Sequence, residues 1–336
     1  MYASYFEIQN GVLTKCRMSG EENVTVTIPD GVTSIGKSAF IGCRSLKSIT
    51  IPDSVTSIGD NAFLLCVSLK GITIPDGVLS IGNDAFANCN LLQNIDVSES
   101  NSDYSSSNGV LFDKSQTILM KYPEGKKDLS YIIPDGVTSI GFHAFACCKS
   151  LQSITIPDSV TSIGNHAFER CESLKSIKIP NGVTSISIGA FGSCKSLESV
   201  TIPNSVMRIG DYSYFCCKSL ENITIPDSVT RIGNGAFARC TSLKKILIPK
   251  GVTSIGFNAF VFCKSLKSIT IPDGVTNIGN GAFLCCESLQ SITIPNNVTS
   301  IGKDVFNNCN KLTICAPVGS YAIEYAKSNS IKFKEI

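Results

Sequence analysis

The chain has 336 residues, a net charge of +2 and 17% charged residues, a balance that argues against a dominant electrostatic partner and so against nucleic acid. Tryptophan is absent and histidine occurs twice, poor material for general acid–base chemistry, so no enzyme is expected. At 43% hydrophobic the length would suit two ordinary domains, but no apolar run approaches the roughly 18 residues of a membrane span.

Residues 1–23 predict an N-terminal cap. Tyr5-Phe6-Glu7-Ile8 and Val12-Leu13-Thr14 read as two strands around Asn10-Gly11, a strong hairpin signal. Such a hairpin would cover the open strand edge of whatever follows. The start MYASYFEIQNGVLTKC lacks a basic stretch followed by an apolar one, so no signal peptide is read there.

Residues 24–91 hold three copies of one unit, typified by LKSITIPDSVTSIGDNAFLLCVS from Leu46 to Ser68. Aligned on proline, eleven copies run from Pro29 to Pro295 at 23-residue intervals, broken once by the 59 residues between Pro75 and Pro134. Isoleucine precedes every proline, valine follows at +3, isoleucine at +6 and cysteine at +14. The +11 residue is phenylalanine in ten copies and Tyr214 in the other. A fixed period of this kind marks a solenoid, one extended domain whatever its length.

Within one unit, Ile49-Thr50-Ile51 alternates apolar and polar and predicts a short strand with both isoleucines inward. Pro52 ends it, for want of an N–H. Pro-Asp-Ser predicts a type I turn with proline second, and Val55–Ile58 a second strand. Gly59 is expected at positive φ, and Asn61 to Cys66 as a single α or 3₁₀ turn, too short for a free helix. No unit buries enough to stand alone; identical side chains must stack turn on turn.

Residues 92–127 break the period. The polar tract Ser98–Asn108, then Val110-Leu111-Phe112, Thr117–Met120 and Tyr122-Pro123-Glu124-Gly125, predict an enlarged turn whose hairpin projects from the coil. Insertions in repeat arrays map to one face, often the binding face, which makes Asp103, Tyr104 and Tyr122 candidate binding residues. Eight copies then fill 128–310. Cys147-Cys148, Cys216-Cys217 and Cys285-Cys286 recur 69 residues apart, the trace of a duplicated three-turn block. Residues 311–336 predict a C-terminal cap, with a helix over Gly319–Lys327 followed by Ile331-Lys332-Phe333.

Eleven of the sixteen cysteines form the +14 column. Parallel inward Cβ vectors do not suit disulfides, so buried free thiols are expected, in a reducing or anaerobic setting.

The unit LxxIxIPxxVxxIGxxAFxxCxS resembles the BspA-like leucine-rich repeats of bacterial and protist surface proteins. Asn108-Gly109-Val110-Leu111-Phe112 to Tyr122-Pro123 resembles that family's long irregular unit, and Gly319-Ser320-Tyr321-Ala322 its usual ending. The resemblance implies a mildly curved, right-handed leucine-rich-repeat solenoid with two parallel ladders of short strands and a row of short helical turns. It implies a binding role, some members being adhesins for host proteins or other cells, and supplies no catalytic residues. It also suggests display at the cell surface or secretion.

Outward strand positions carry hydroxyls: Ser48 and Thr50, then Thr155, Thr201, Thr224, Thr270 and Thr293, with serines such as Ser153 and Ser199 beside them. Hydroxyl residues suit exposed strand sites; stacked in rows they also make a flat polar binding face, interrupted here by Lys178 and Leu247. Lys47, Lys70, Lys175, Lys244 and Lys267 form a partly basic row diluted by Glu198 and Glu221. His143 and His166 share a column beside Asp84 and are the metal candidates, but Asn61, Gly189, Tyr212, Gly235 and Asn258 in that column mark a tolerant surface position. Gly31–Ser38 spells GVTSIGKS, a phosphate-loop pattern, yet spans a strand where a full helix would be needed. No metal or cofactor is expected. The reading is a monomeric, non-enzymatic binding or adhesion scaffold for a protein or cell-surface glycan, through the strand-lined concave face or the 92–127 segment. A structural spacer or self-associating module is the alternative.

Overall fold

Alternation of β-branched and polar residues on either side of each proline produces two strands per 23-residue turn, and the period stacks them into parallel ladders. The computed structural model describes residues 5–18 and 23–336, so the cap positions 1–4 and 19–22 lie outside the described residues. The chain falls into two compact units, residues 1–128 with 136–150 and residues 129–135 with 151–336.

In the first unit the first ladder pairs Val24–Thr27 with Leu46–Thr50, and Gly71–Ile74 with Asn94–Val97. The second ladder starts from the expected hairpin, Phe6–Gln9 against Val12–Cys16, turned on Asn10 and Gly11 at φ 50° and 77°. Val12–Cys16 then pairs in parallel with Ser34–Ile35, followed by Ser57–Ile58 and Ser80–Ile81. In the second unit the first ladder runs Ser130–Ile132, Ser153–Thr155, Ser176–Lys178, Ser199–Thr201, later Ser268–Thr270, Ser291–Thr293 and Thr313–Ala316. Its second ladder is continuous from Ser185–Ile186 through Arg208–Ile209, Arg231–Ile232, Ser254–Ile255 and Asn277–Ile278 to Ser300–Ile301. Beyond the last turn, the helix Tyr321–Ser328 and the strand Lys332–Glu335 form the cap.

Three local features differ from expectation. The proline turn closes by the Val55 N–H donating to the Pro52 carbonyl at 3.1 Å, so proline is the first residue of the turn, not the second. The second strand is two residues, Ser57–Ile58. Gly59 is not at positive φ; its role is space, because a Cβ there would lie 2.7 Å from the Lys37 nitrogen of the preceding turn. The strained positions are +9 and +13 instead, as at Asn61 (φ 56°) and Leu65 (φ 64°).

Those left-handed residues explain why the +9 to +14 segment never becomes a longer helix. Alternate N–H groups bond within the turn in 3₁₀ fashion, Ala62 to Gly59, Leu64 to Asn61 and Cys66 to Phe63. The intervening ones reach the next turn: Asn61 donates to Asn83, Phe63 to Ala85 and Leu65 to Ala87, at 2.8–3.0 Å. Switching φ at +9 and +13 turns every second N–H along the coil. The strain of order 1–2 kcal/mol per left-handed residue is offset by these bonds between turns.

The core is a set of stacked columns. Phe168, Phe191, Tyr214, Phe237, Phe260, Phe283 and Phe306 lie ring over ring with centroids 5.3–5.8 Å apart, within the range of offset stacking. Phe6 meets Phe40 edge-on and Tyr325 meets Phe306 edge-on, so each cap closes a stack with a ring turned across it. The +14 thiols do more than fill space. Cys66 donates its S–H to the Phe40 carbonyl at 3.1 Å, and Cys194, Cys217, Cys240, Cys263, Cys286 and Cys309 repeat this bond on the preceding turn's aromatic residue at 3.1–3.2 Å. Each such carbonyl thereby fills its second lone pair. Burial pushes the Cys89 thiol up to about 12, so that thiol is unreactive in the folded state.

Residues 92–127 do not project. The hairpin Tyr104–Ser107 with Val110–Asp113 adds Ile118–Lys121 as a third antiparallel strand, which pairs in parallel with Ser139–Ile140. Val110, Leu111, Phe112 and Leu119 are buried, and the Ile95 N–H donates to the Gly109 carbonyl at 2.9 Å. The long segment is a folded turn of the coil, because its apolar run has a layer to complete.

Candidate functional site

The outward strand positions predicted as a hydroxyl face are where the alternation puts them. Ser48 is half-buried, Thr50, Thr155, Thr201, Thr224 and Thr270 are exposed, and Thr293 is half-buried. Register brings rows together: Ser153 lies beside Ser176 and Ser176 beside Ser199, while Lys178 pairs with Thr201 and Thr270 with Thr293. In the first unit the Thr25 and Ser48 hydroxyls are 2.9 Å apart. The second unit's rows edge a shallow trough of about 760 Å³ lined by Ser153, Thr155, Asp158, Ser176 and Lys178. Ile132 and Leu247, 72% and 66% exposed, interrupt the threonine row with apolar side chains held out to solvent. Hydroxyls, one ammonium, the two carboxylates of Asp135 and Asp158 and two isolated apolar contacts make a surface suited to recognition by many weak contacts.

The candidates in the long turn separate. Asp103 is exposed and accepts from the Ser102 hydroxyl at 2.5 Å. Tyr104 is half-buried, its phenolic oxygen accepting from the Ile81 N–H at 3.0 Å, and burial raises its pKa. Tyr122 is not surface. It is 1% exposed and stacks on Phe145 with centroids 5.3 Å apart, because it occupies the +11 position of the irregular turn, its N–H donating to Ala144 as the regular phenylalanines do. Its hydroxyl reaches Asp128 at 2.7 Å.

Two charged residues of the long turn, Lys121 and Glu124, are buried. Asn88, whose N–H by analogy with Leu65 would seek a carbonyl on the next turn, donates instead to Glu124 Oε1 at 2.9 Å. The Lys121 ammonium sits 3.1 Å from the same oxygen. Burial would lower the Lys121 pKa, but the Glu124 carboxylate more than reverses this and raises it. The carboxylate stands in for a missing backbone acceptor, a role no spacing rule predicts. Beside it, a cleft of about 160 Å³ is lined by Ile81, Phe86, Leu111, Ile118 and Met120. At this cleft His143 Nδ1 lies 2.6 Å from Asp84 Oδ1. His166, in the second unit, has its Nδ1 3.0 Å from Glu169. The lysine row is partly self-neutralising, with Lys244 2.7 Å from Glu221.

Comparison with known proteins follows the same lines. The model of the BspA type leucine rich repeat region matches residues 7–129, 124–244 and 207–325. The chain belongs to this family. Among solved structures, a leucine-rich repeat protein from Eubacterium ventriosum is 24% identical, with 84% of this chain and 82% of that one aligned at a TM-score of 0.57. The pneumococcal vaccine antigen PcpA is 23% identical over 93% of this chain and 67% of its own, also at 0.57. A leucine rich cell surface protein from Faecalibacterium prausnitzii is 31% identical at a TM-score of 0.42; this BspA-type chain covers 62% of its length. A search of curated proteins returned no significant match. Among the described residues no helix is long and apolar enough to cross a membrane.

Proposed function

We propose that this BspA-type chain is a non-enzymatic binding scaffold whose partner is a protein or a cell-surface glycan. Contact is through the hydroxyl-bearing rows of the first ladder. The observation that carries this is the separation of roles along each strand: isoleucines hold the stack from inside, leaving Ser153, Thr155, Ser176, Lys178, Ser199 and Thr201 in rows of fixed spacing with no part in the core. A surface already ordered by its core loses little further entropy on binding.

The test is capture of purified matrix glycoproteins and a glycan array by the full chain, against a variant carrying Thr155→Lys and Thr201→Lys. Both sites are exposed, so the fold is expected to persist. Ligands recognised by this face should weaken at least about tenfold, the equivalent of about 1.4 kcal/mol. Retained binding would discard the face. Capture of nothing but a second copy of the chain would favour a spacer or self-associating module.

A further inference from the structure

The +5 column of the second ladder is serine or asparagine in nine of eleven copies; the exceptions, Arg208 and Arg231, are consecutive. Parallel register sets them directly opposite each other on neighbouring strands, one strand spacing of about 4.8 Å apart. Both are exposed, and among the described residues neither guanidinium has a carboxylate within salt-bridge reach. Three other charged pairs one turn apart in this unit are of opposite sign and in contact: Lys195 with Glu172, Lys244 with Glu221, Lys264 with Glu287. The nearby carboxylate at Asp211 is engaged by Asn234, whose backbone N–H and side-chain amide donate to its two oxygens at 2.9 and 3.2 Å. Like charges directly across a sheet are destabilising. The fold therefore keeps a doubled positive charge at a position where nine sister copies avoid it.

We propose that Arg208 and Arg231 form a binding site for the carboxylate groups of a uronate-bearing acidic glycan. The pair stands at one end of an open trough of about 760 Å³ that continues across the ladder past Ser254, Asn277 and Ser300, with Phe257 46% exposed along its side. Paired guanidinium forks match carboxylate geometry bidentately. The hydroxyl and amide row beyond them offers donors and acceptors in alternation, and the exposed ring offers a flat apolar face to a sugar ring. An acidic protein segment would use the arginines but gain little from a row of short hydroxyls, so the glycan is the better fit. The site rests on the chain being a binding scaffold but not on the first-ladder face.

Binding of a hyaluronan decasaccharide to the full chain at physiological salt tests this, with uncharged dextran and poly-glutamate of equal charge in parallel. Arg208→Ser and Arg231→Ser install the column's own residue, so the fold is preserved by precedent. Each is expected to weaken hyaluronan binding about tenfold, since a hydrogen-bonded charge contributes on that order; Arg→Lys variants should fall between, keeping charge but losing the fork. Phe257→Asn, the residue of the adjacent copies, should weaken it further without changing the salt dependence. The double serine variant should melt at the wild-type temperature or above it. Absence of hyaluronan binding, equal binding by the double variant, a lowered melting temperature, or poly-glutamate binding as tightly as hyaluronan would each overturn the proposal. Loss of hyaluronan binding in the Thr155→Lys, Thr201→Lys variant would also overturn it and move the site to the first ladder; loss confined to the arginine variants leaves the hydroxyl-face reading to stand or fall on its own experiment.

Discussion

Tyr214 and Ser213 show what one atom costs inside a stack. Ten copies carry phenylalanine where Tyr214 stands, and all but Ser213 carry alanine or valine at the preceding position. Both residues are fully buried, and neither the phenol nor the serine hydroxyl has a protein partner among the described residues. Burial drives the Tyr214 pKa well up. An unsatisfied buried hydroxyl costs about 1–3 kcal/mol. Tyr214→Phe is therefore expected to stabilise the protein by about 1 kcal/mol or more, with Ser213→Ala adding to it, read as a rise in urea midpoint at unchanged slope. A fall would mean that the hydroxyl is solvated or bonded. Lys121 and Glu124 are the opposite case, polar groups buried in a pair because the irregular turn leaves Asn88 without a carbonyl.

At the scale of the element, the +7 glycine joins one turn to the next. Its N–H stays in the ladder, as Gly233 donates to Ile209 at 2.9 Å, while its missing Cβ lets the preceding turn's backbone approach. At Gly256 a Cβ would stand 2.7 Å from the Gly233 carbonyl carbon, and backbone cannot yield as a side chain does. Gly256→Ala should cost about 2–3 kcal/mol by forced displacement of neighbouring turns. A change within about 0.5 kcal/mol, measured by denaturant titration, would show that the turns slide apart freely. Ser187 occupies this column in one copy and donates its hydroxyl to the Ile163 carbonyl at 2.5 Å, so a side chain is admitted where it bonds the backbone it crowds. The glycine was legible in the sequence, but its reason was misread, since sequence shows which residue recurs and not which atom lies 23 positions behind it.

For the whole molecule, seven buried thiols of the +14 column tie stability to alkaline pH. Cys66, Cys89, Cys148, Cys194, Cys217, Cys240 and Cys263 all have their pKa raised above the ordinary 9.0, with burial the largest cause. The unfolded chain releases these protons from about pH 9 upward while the folded chain retains them, so stability is complete below 9 and falls as pH rises through the folded values. Each thiol contributes a slope of about 1.4 kcal/mol per pH unit in that window. The urea midpoint, followed under reducing conditions, should be level from pH 7 to about 8.5 and drop steeply by pH 10.5. A level profile throughout would contradict a buried column.

Sequence alone determined the 23-residue period, the two strands per turn, the inward isoleucine, phenylalanine and cysteine columns and the family, because identical turns stack only if every copy buries the same positions. It could not place the residues whose role depends on a particular neighbour one turn away. Tyr122 is core and not surface, Lys121 and Glu124 are an internal pair, residues 92–127 lie folded within the coil, and the +9 and +13 residues carry left-handed strain. Tertiary structure decided these because bonds between turns follow the register of the stack, and in the irregular turn no repeated pattern announces that register.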